Sequence, residues 1–223
     1  MKYVIFDAGS VISLTMNGLL GILEKLKEGF DGEFILTPQV KNELVDKPSK
    51  IKKYEFESIQ VKALIKKGVF KMSSKIVSDS NLRREINKII KISNSAYVAF
   101  HEKVKIIQEG ETSCLAFAKL CGADNVIVTD ERTVRLLTEK PENISRLMEN
   151  KMHTKVSFNK KEIKYFSGFR FIRSAELLYV AYKKGLFEYK DSNLLGALLY
   201  AVKFKGAAIS SDEISEMKLL ARE

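Results

Sequence analysis

Cysteine and histidine are nearly missing from this chain, with two of each in 223 residues. Cys114 and Cys121 lie seven positions apart in a segment that reads as helical, which separates them by about 10.5 Å along the axis and makes a disulfide implausible. His101 and His153 stand apart from both. No Cys/His group therefore has zinc spacing, and the cysteines are expected to be reduced and buried. Also missing is any run of roughly 18 uncharged apolar residues, the length a membrane span needs, and Met1-Lys2 leads straight into a strand-like segment. A soluble, cytoplasmic protein with no membrane partner is expected. There is no internal repeat and no low-complexity tract.

What the chain does have is an apolar fraction of 45%, enough for a sizeable core, and a formal net charge of +10. Length and composition suit one elaborated domain. Basic pairs recur at Lys52-Lys53, Lys66-Lys67, Arg83-Arg84, Lys160-Lys161 and Lys183-Lys184. Many such pairs are simply solvated helix faces. Their sum still produces a positive field that steers phosphate polymers, so RNA is favoured as a partner over a neutral metabolite.

The apolar run Tyr3-Val4-Ile5-Phe6 ends in Asp7 and Ala8-Gly9-Ser10, a pattern that predicts a buried parallel strand emptying into a tight turn. Leucines at 19, 20, 23 and 26 predict a helix before Gly29. A second strand is expected at 34–36, followed by a short helix that Thr37 caps and Pro38 begins. Glu43 falls on that helix, at the edge of its buried face. Further on, a helix at 54–67 and a strand at 69–72 are expected, then helix throughout 81–107, broken at Ser93-Asn94-Ser95, with Val98, Val104 and Ile107 on apolar faces. Small and apolar residues from Glu111 to Cys121, stopped by Gly122, predict a buried central helix. Val126-Ile127-Val128 predicts a strand delivering Thr129, Asp130 and Glu131 to the next helix. A polar, basic loop is expected from 141 to 161, a last strand at 169–172, and helices at 174–185, 194–204 and 212–220. Alternating elements of this kind imply an α/β fold whose mostly parallel sheet is sandwiched by helices.

In an open α/β sheet the functional crevice lies at the carboxyl ends of the strands, where Asp7 and Asp130 would both stand. Glu111, at the amino end of a buried helix, and Glu43 could converge there. Each acid also has an ordinary explanation, as a turn or helix cap or a surface residue. Taken together they point to chemistry. Two carboxylates about 4 Å apart repel by roughly 4 kcal/mol at an effective dielectric near 20, so a group of them needs a cation or takes up protons. Oxygen donors without thiol or imidazole select Mg²⁺ or Mn²⁺. Such a site suits phosphodiester hydrolysis, with Ser10 and Thr129 placed to order a water or a carboxylate.

The segments VIFDAGSVI, TPQVKNEL, EGETSCLAFA and VIVTDERTVR, in that order, resemble the four acidic motifs of the PIN-domain nucleases, and SAELLYVAYKKGLF with AAISSDEI is similar to the tail of one prokaryotic subgroup. The resemblance implies a three-layer α/β/α fold and a metal-dependent ribonuclease site. Asp7, Glu43, Glu111 and Asp130 would be the metal-binding acids, Ser10 the small polar residue after the first strand, and Glu131 a fifth acid. Glu109 competes with Glu111, but the small residues that follow favour Glu111. On this reading residues 1–173 form the nuclease domain with insertions at about 50–107 and 139–165, and residues 174–223 a helical extension packed on it. Lys41, Arg132 and Arg135, near the acids in sequence, are the candidate RNA contacts.

Homodimers are common in the resembled family, and an antitoxin protein would be a partner if the enzyme is a toxin rather than an RNA-processing nuclease. The alternative is a non-catalytic scaffold that binds RNA or protein. A haloacid-dehalogenase-type phosphatase is disfavoured, because that chemistry needs a second Asp two residues after Asp7 and position nine is Gly9.

Overall fold

The computed structural model describes residues 1–99, 102, 103, 106–122 and 124–221. Its centre is a five-stranded, wholly parallel sheet. Strand β1 (Tyr3–Phe6) leads into helix α1 (Ala8–Met16), then α2 (Ile22–Glu28), β2 (Glu33–Leu36), α3 (Pro38–Lys41) and a π-helical turn at Asn42–Asp46. Helix α4 (Glu55–Lys66), β3 (Phe70–Met72) and α5 (Asp79–Ala96) follow, then β4 (Tyr97–Ala99), β5 (Glu102–Lys103), α6 (Glu109–Cys121) and β6 (Asn125–Val128). The chain continues through α7 (Arg132–Glu139), α8 (Pro141–Met152), β7 (Val156–Phe158), α9 (Lys160–Ile163), β8 (Phe171–Ile172), α10 (Ser174–Lys183), α11 (Leu194–Lys203) and α12 (Ser211–Leu220).

The strand order is β3-β2-β1-β6-β8, so the chain builds outward on one side of β1 and then crosses to the other side with β6. This reversal opens a crevice at the carboxyl end of β1, between β2 and β6. Register carries it further. Phe6 pairs with Val128, which brings Asp7 level with Thr129. Helix α6 packs on β1 and β6 and against α3 and α5, while α1 packs against α4 and α10. The resulting three-layer α/β/α fold is the one expected. Helix α6 is buried over most of its length, which is why its sequence is small and apolar all round rather than amphipathic.

Several local expectations are corrected. Ala8-Gly9-Ser10 is the first turn of α1 rather than a tight turn, with Asp7 in an extended N-cap conformation. Ser93-Asn94-Ser95 does not break α5: Ser93 Oγ donates to Ile90 O and Ser95 Oγ to Lys91 O, so the hydroxyls are satisfied within the helix. Residues Leu82, Ile86, Ile89, Ser93 and Ala96 hold one buried stripe to its end. Helix then gives way to a second, antiparallel sheet, β5-β4-β7. There Tyr97 and Ala99 are buried while Val98 is half-buried, a period-two pattern too short to compete with 18 helical residues before it. Val98 is therefore in a strand, while Val104 and His101 lie outside the described residues.

The expected loop over 141–161 is structured. Pro141 begins α8, whose buried Ile144 and Ser145 anchor it. His153 ends that helix in the left-handed conformation (φ 52°), releasing the chain into β7. Tyr97 ties the pieces together through its hydroxyl, which donates to Pro141 O at 3.0 Å, and its ring packs on Phe158. Both cysteines are free thiols; Cys114 is buried, but Cys121 is only half-buried. Among the described residues no helix is long and apolar enough to cross a membrane.

Candidate metal centre

Asp7, Glu43, Glu111, Asp130 and Glu131 line a single cavity of about 280 Å³ at the carboxyl ends of β1 and β6. The five acids come from four separated stretches of sequence. Each is held by a different local device.

Asp7 is buried at the N-cap of α1 and accepts a hydrogen bond from Thr129 Oγ1 at 3.1 Å. Thr129 in turn accepts from Glu131 N–H, fixing the direction of its own hydroxyl. Ser10 behaves differently. It is fully buried, and its hydroxyl donates to Asp7 O and Val128 O, stitching the start of α1 to the end of β6 instead of facing the cavity.

Glu43 sits in the π-helical turn, whose extra residue per turn re-aims the chain after α3. Its carboxylate lies over the amino end of α6, with Oε1 and Oε2 only 2.8 and 2.9 Å from where a Cβ on Gly110 would be. Gly110 is what permits that approach. The contact between α3 and α6 is set by Thr37 and Ser113, both buried, whose hydroxyls lie 2.6 Å apart.

Glu111 occupies the third position of α6 and accepts from Gln108 N–H at 2.7 Å. It, and not the exposed Glu109, reaches the cavity. Asp130 accepts from the backbone amide of Ser174 at 2.8 Å and from the Ser174 hydroxyl on both oxygens, which places it over the start of α10. Glu131 caps α7 by accepting from Thr133 N–H.

Electrostatics show which acids feel one another. Burial pushes the Asp7 carboxyl up to about 6, against the pull of the Ala8 amide and Thr129, and the charge of Glu43 adds to the rise. Burial likewise raises Glu111 to about 7, opposed by Gln108 N–H and reinforced by Asp7, Glu131 and Glu43. Glu43 is raised by burial, with Lys47 opposing and Glu109 reinforcing. Beneath them the Cys114 thiol is raised by burial and then by Asp7, Glu111 and Glu43. Asp130 is also raised by burial, against the Ser174 hydrogen bonds, but its acidic neighbour is Glu176. The charge of Glu43 thus reaches both Asp7 and Glu111, and Glu111 also feels Asp7 and Glu131, while Asp130 lines the same cavity.

Among the described residues no three His, Cys, Asp or Glu groups are clustered tightly enough to hold a metal ion as they stand. The donor chemistry nevertheless fits a hard divalent cation. All the donors are carboxylate oxygens, and their charged forms are disfavoured first by burial and then by neighbouring acids, a cost that such an ion would offset.

The candidate RNA contacts divide. Lys41 Nζ is engaged by Asp46 at 2.7 Å. Arg132 and Arg135 line a neighbouring cavity of about 630 Å³ together with Lys140 and Lys203. Between the two cavities runs the segment after α11, from which Lys205 and Gly206 face the acids and Ala207 to Ser210 face the basic side. Sequence reading gave Gly110, Lys203 and Lys205 no part in the site and took Ser174 for a helix cap, whereas Arg173 holds the cap position and Ser174 is the first residue of α10. Their positions depend on contacts between elements far apart in the chain. Only the juxtaposition of Gly110 with Glu111 offered a signal.

Comparison of the chain with protein-family models, with curated proteins and with solved structures returns no match.

Proposed function

We propose that the chain is a metal-dependent endoribonuclease of PIN type, acting in the cytoplasm. One observation supports this above the others: Asp7, Glu43, Glu111 and Asp130, brought from four motifs, line one cavity at the point where the strand order reverses. The adjoining basic cavity, in a chain of net charge +10, suits a polyanionic substrate.

Asp7, Glu43 and Glu111 would hold Mg²⁺ or Mn²⁺, with Asp130 completing the acidic wall. When bound, such an ion polarises the phosphodiester and lowers the pKa of water. The chain's own residues do the rest. Thr129 orients Asp7, the Gln108 amide orients Glu111, Gly110 admits Glu43, and Ser174 holds Asp130. Arg132, Arg135 and Lys203 would neutralise phosphates of the strand beside the cleavage point.

The test is incubation of end-labelled single-stranded RNA with the protein and Mn²⁺, repeated with Asp7→Asn. Cleavage that the substitution abolishes is expected; cleavage that survives it removes the assignment. Two observations favour the second reading, a PIN-like scaffold that binds without cutting: the acids are not clustered as a ready ligand shell, and Glu111 and Asp130 already engage helix ends. That reading predicts binding with no turnover in either Mg²⁺ or Mn²⁺. If the enzyme is a toxin with an antitoxin partner, expression alone arrests growth and Asp7→Asn abolishes the arrest; a processing nuclease causes none. Sedimentation tests the homodimer.

A further inference from the structure

Near the carboxyl end of α11 two aromatic rings lie in the open. Phe204 is 79% exposed, and its ring stacks on that of Tyr200 with centroids 6.0 Å apart and planes 25° apart. An isolated exposed phenylalanine would need no explanation. This pair is different because of what flanks it. Lys203 Nζ lies 5.6 Å from the centre of the Tyr200 ring, is bonded to Ser211 Oγ at 2.6 Å, and lines the basic cavity with Arg132 and Arg135. Lys205, on the other side of Phe204 in sequence, lines the acidic cavity.

The platform is also tied to the acids by backbone. Ala208 N–H donates to Asp130 O, Ser13 Oγ to Lys205 O, and Arg173 Nη1 to Ala208 O, while Ala207 and Ile209 are buried. The backbone that follows Phe204 is thus anchored to residues around the acids.

We propose that Tyr200 and Phe204 form a base-stacking platform for an unpaired nucleic-acid strand, whose phosphates follow Lys203, Arg132 and Arg135 to the acidic cavity. It rests on the nuclease reading and adds to it a site for the bases of the strand. Aromatic faces between cations are the arrangement that grips single strands, since every base has a face to stack and only an unpaired base can offer it. The flanking cations, Lys203, Arg132 and Arg135 at one cavity and Lys205 at the other, favour a polyanion as the occupant.

The experiment is binding in EDTA, so that it does not depend on turnover. Three labelled probes of about twelve nucleotides are compared: single-stranded RNA, the same backbone without bases, and a blunt duplex. Wild type is expected to bind the base-bearing strand roughly tenfold more tightly than the abasic one, and Phe204→Leu to erase that difference while leaving the abasic affinity unchanged. Phe204→Trp should keep the preference, and because the chain contains no other tryptophan, its emission should be quenched by the single strand and not by the duplex. An unchanged preference in Phe204→Leu, or tryptophan emission indifferent to RNA, overturns the platform. A fall in sedimenting mass in Phe204→Leu also overturns it, assigning the rings to self-association. Preference without cleavage in any metal would remove the hydrolase reading and leave the platform standing.

Discussion

Replacing Asp7 by Asn should stabilise the metal-free protein while destroying its activity. Asp7 is 5% exposed, and burial moves its titration from 3.8 to about 6. A folded-state value above the unfolded one means that protonation favours folding, so the stability from this group is complete below about pH 4 and is lost as pH rises through about 6. At about 1.4 kcal/mol per tenfold change in proton affinity, the loss reaches about 3 kcal/mol at neutral pH and above. Asn keeps an acceptor for Thr129 without the charge, but weakens the pull of the backbone amides. The net gain should therefore be about 1–3 kcal/mol near pH 8, roughly half that near pH 5, and close to nothing at pH 4. Guanidinium melts in EDTA at these pH values measure it directly, provided the slope with denaturant stays constant. If Asp7→Asn is no more stable than wild type at about pH 8, or if its advantage does not shrink with acid, the burial cost argued for the Asp7 carboxylate is wrong. Added Mn²⁺ should raise the melting point of wild type and leave that of Asp7→Asn nearly unmoved.

Other substitutions separate holding the fold from holding the acids. Gly110→Ala would put a methyl within 3 Å of the Glu43 carboxylate, which sits at the end of a flexible side chain and can retreat; thermal stability should be unchanged or slightly higher, while Mn²⁺-dependent stabilisation and cleavage fall about tenfold. Ser174→Ala removes a donor shared by both oxygens of Asp130, so it should cost about 1–3 kcal/mol, with the loss in denaturant melts growing from acid to neutral pH because the bonds it removes favour the charged carboxylate. Arg132→Ala with Arg135→Ala should weaken RNA binding and flatten its salt dependence by about one to two counterions, and an unchanged slope in a salt titration would move the docking face elsewhere.

How far the sequence reveals this molecule depends on the range of the forces involved. Strands β1, β2 and β6 declare themselves as short apolar runs because both faces of the central sheet are covered, and the acids after β1 and β6 follow from them. The smaller sheet does not. Strand β4 pairs with β5 on one side, and its Tyr97, Val98 and Ala99 pair on the other with Val156, Ser157 and Phe158, which arrive from an insertion that reads as polar and basic. At the site, the carboxylates could be named singly, but not the Gly110 gap that admits Glu43 or the Ser174 hydroxyl that engages Asp130. Those are relations between α3 and α6 and between β6 and α10. No local pattern encodes them.

For single acids, capping and ion binding look like competing explanations, yet the geometry makes them parts of one arrangement. Asp7 stands at the amino end of α1, Glu111 within the first turn of α6, Asp130 over the start of α10, and Glu131 at the cap of α7. Four helices therefore direct their amino ends toward the cavity that the acids line. Each such end carries about half a positive charge in unsatisfied N–H groups, which lowers the cost of gathering carboxylates there. The compensation is incomplete, since Asp7 and Glu111 still titrate near 6 and 7. That residual deficit would give a divalent ion its affinity. Had the helix ends balanced the acids fully, the cavity would be a stable end of the fold with no reason to take up a cation. The measurement that distinguishes these cases is the pH dependence of stability with and without Mn²⁺: added metal should abolish the decline between about pH 4 and 7, and a decline that persists would mean the acids only cap helices.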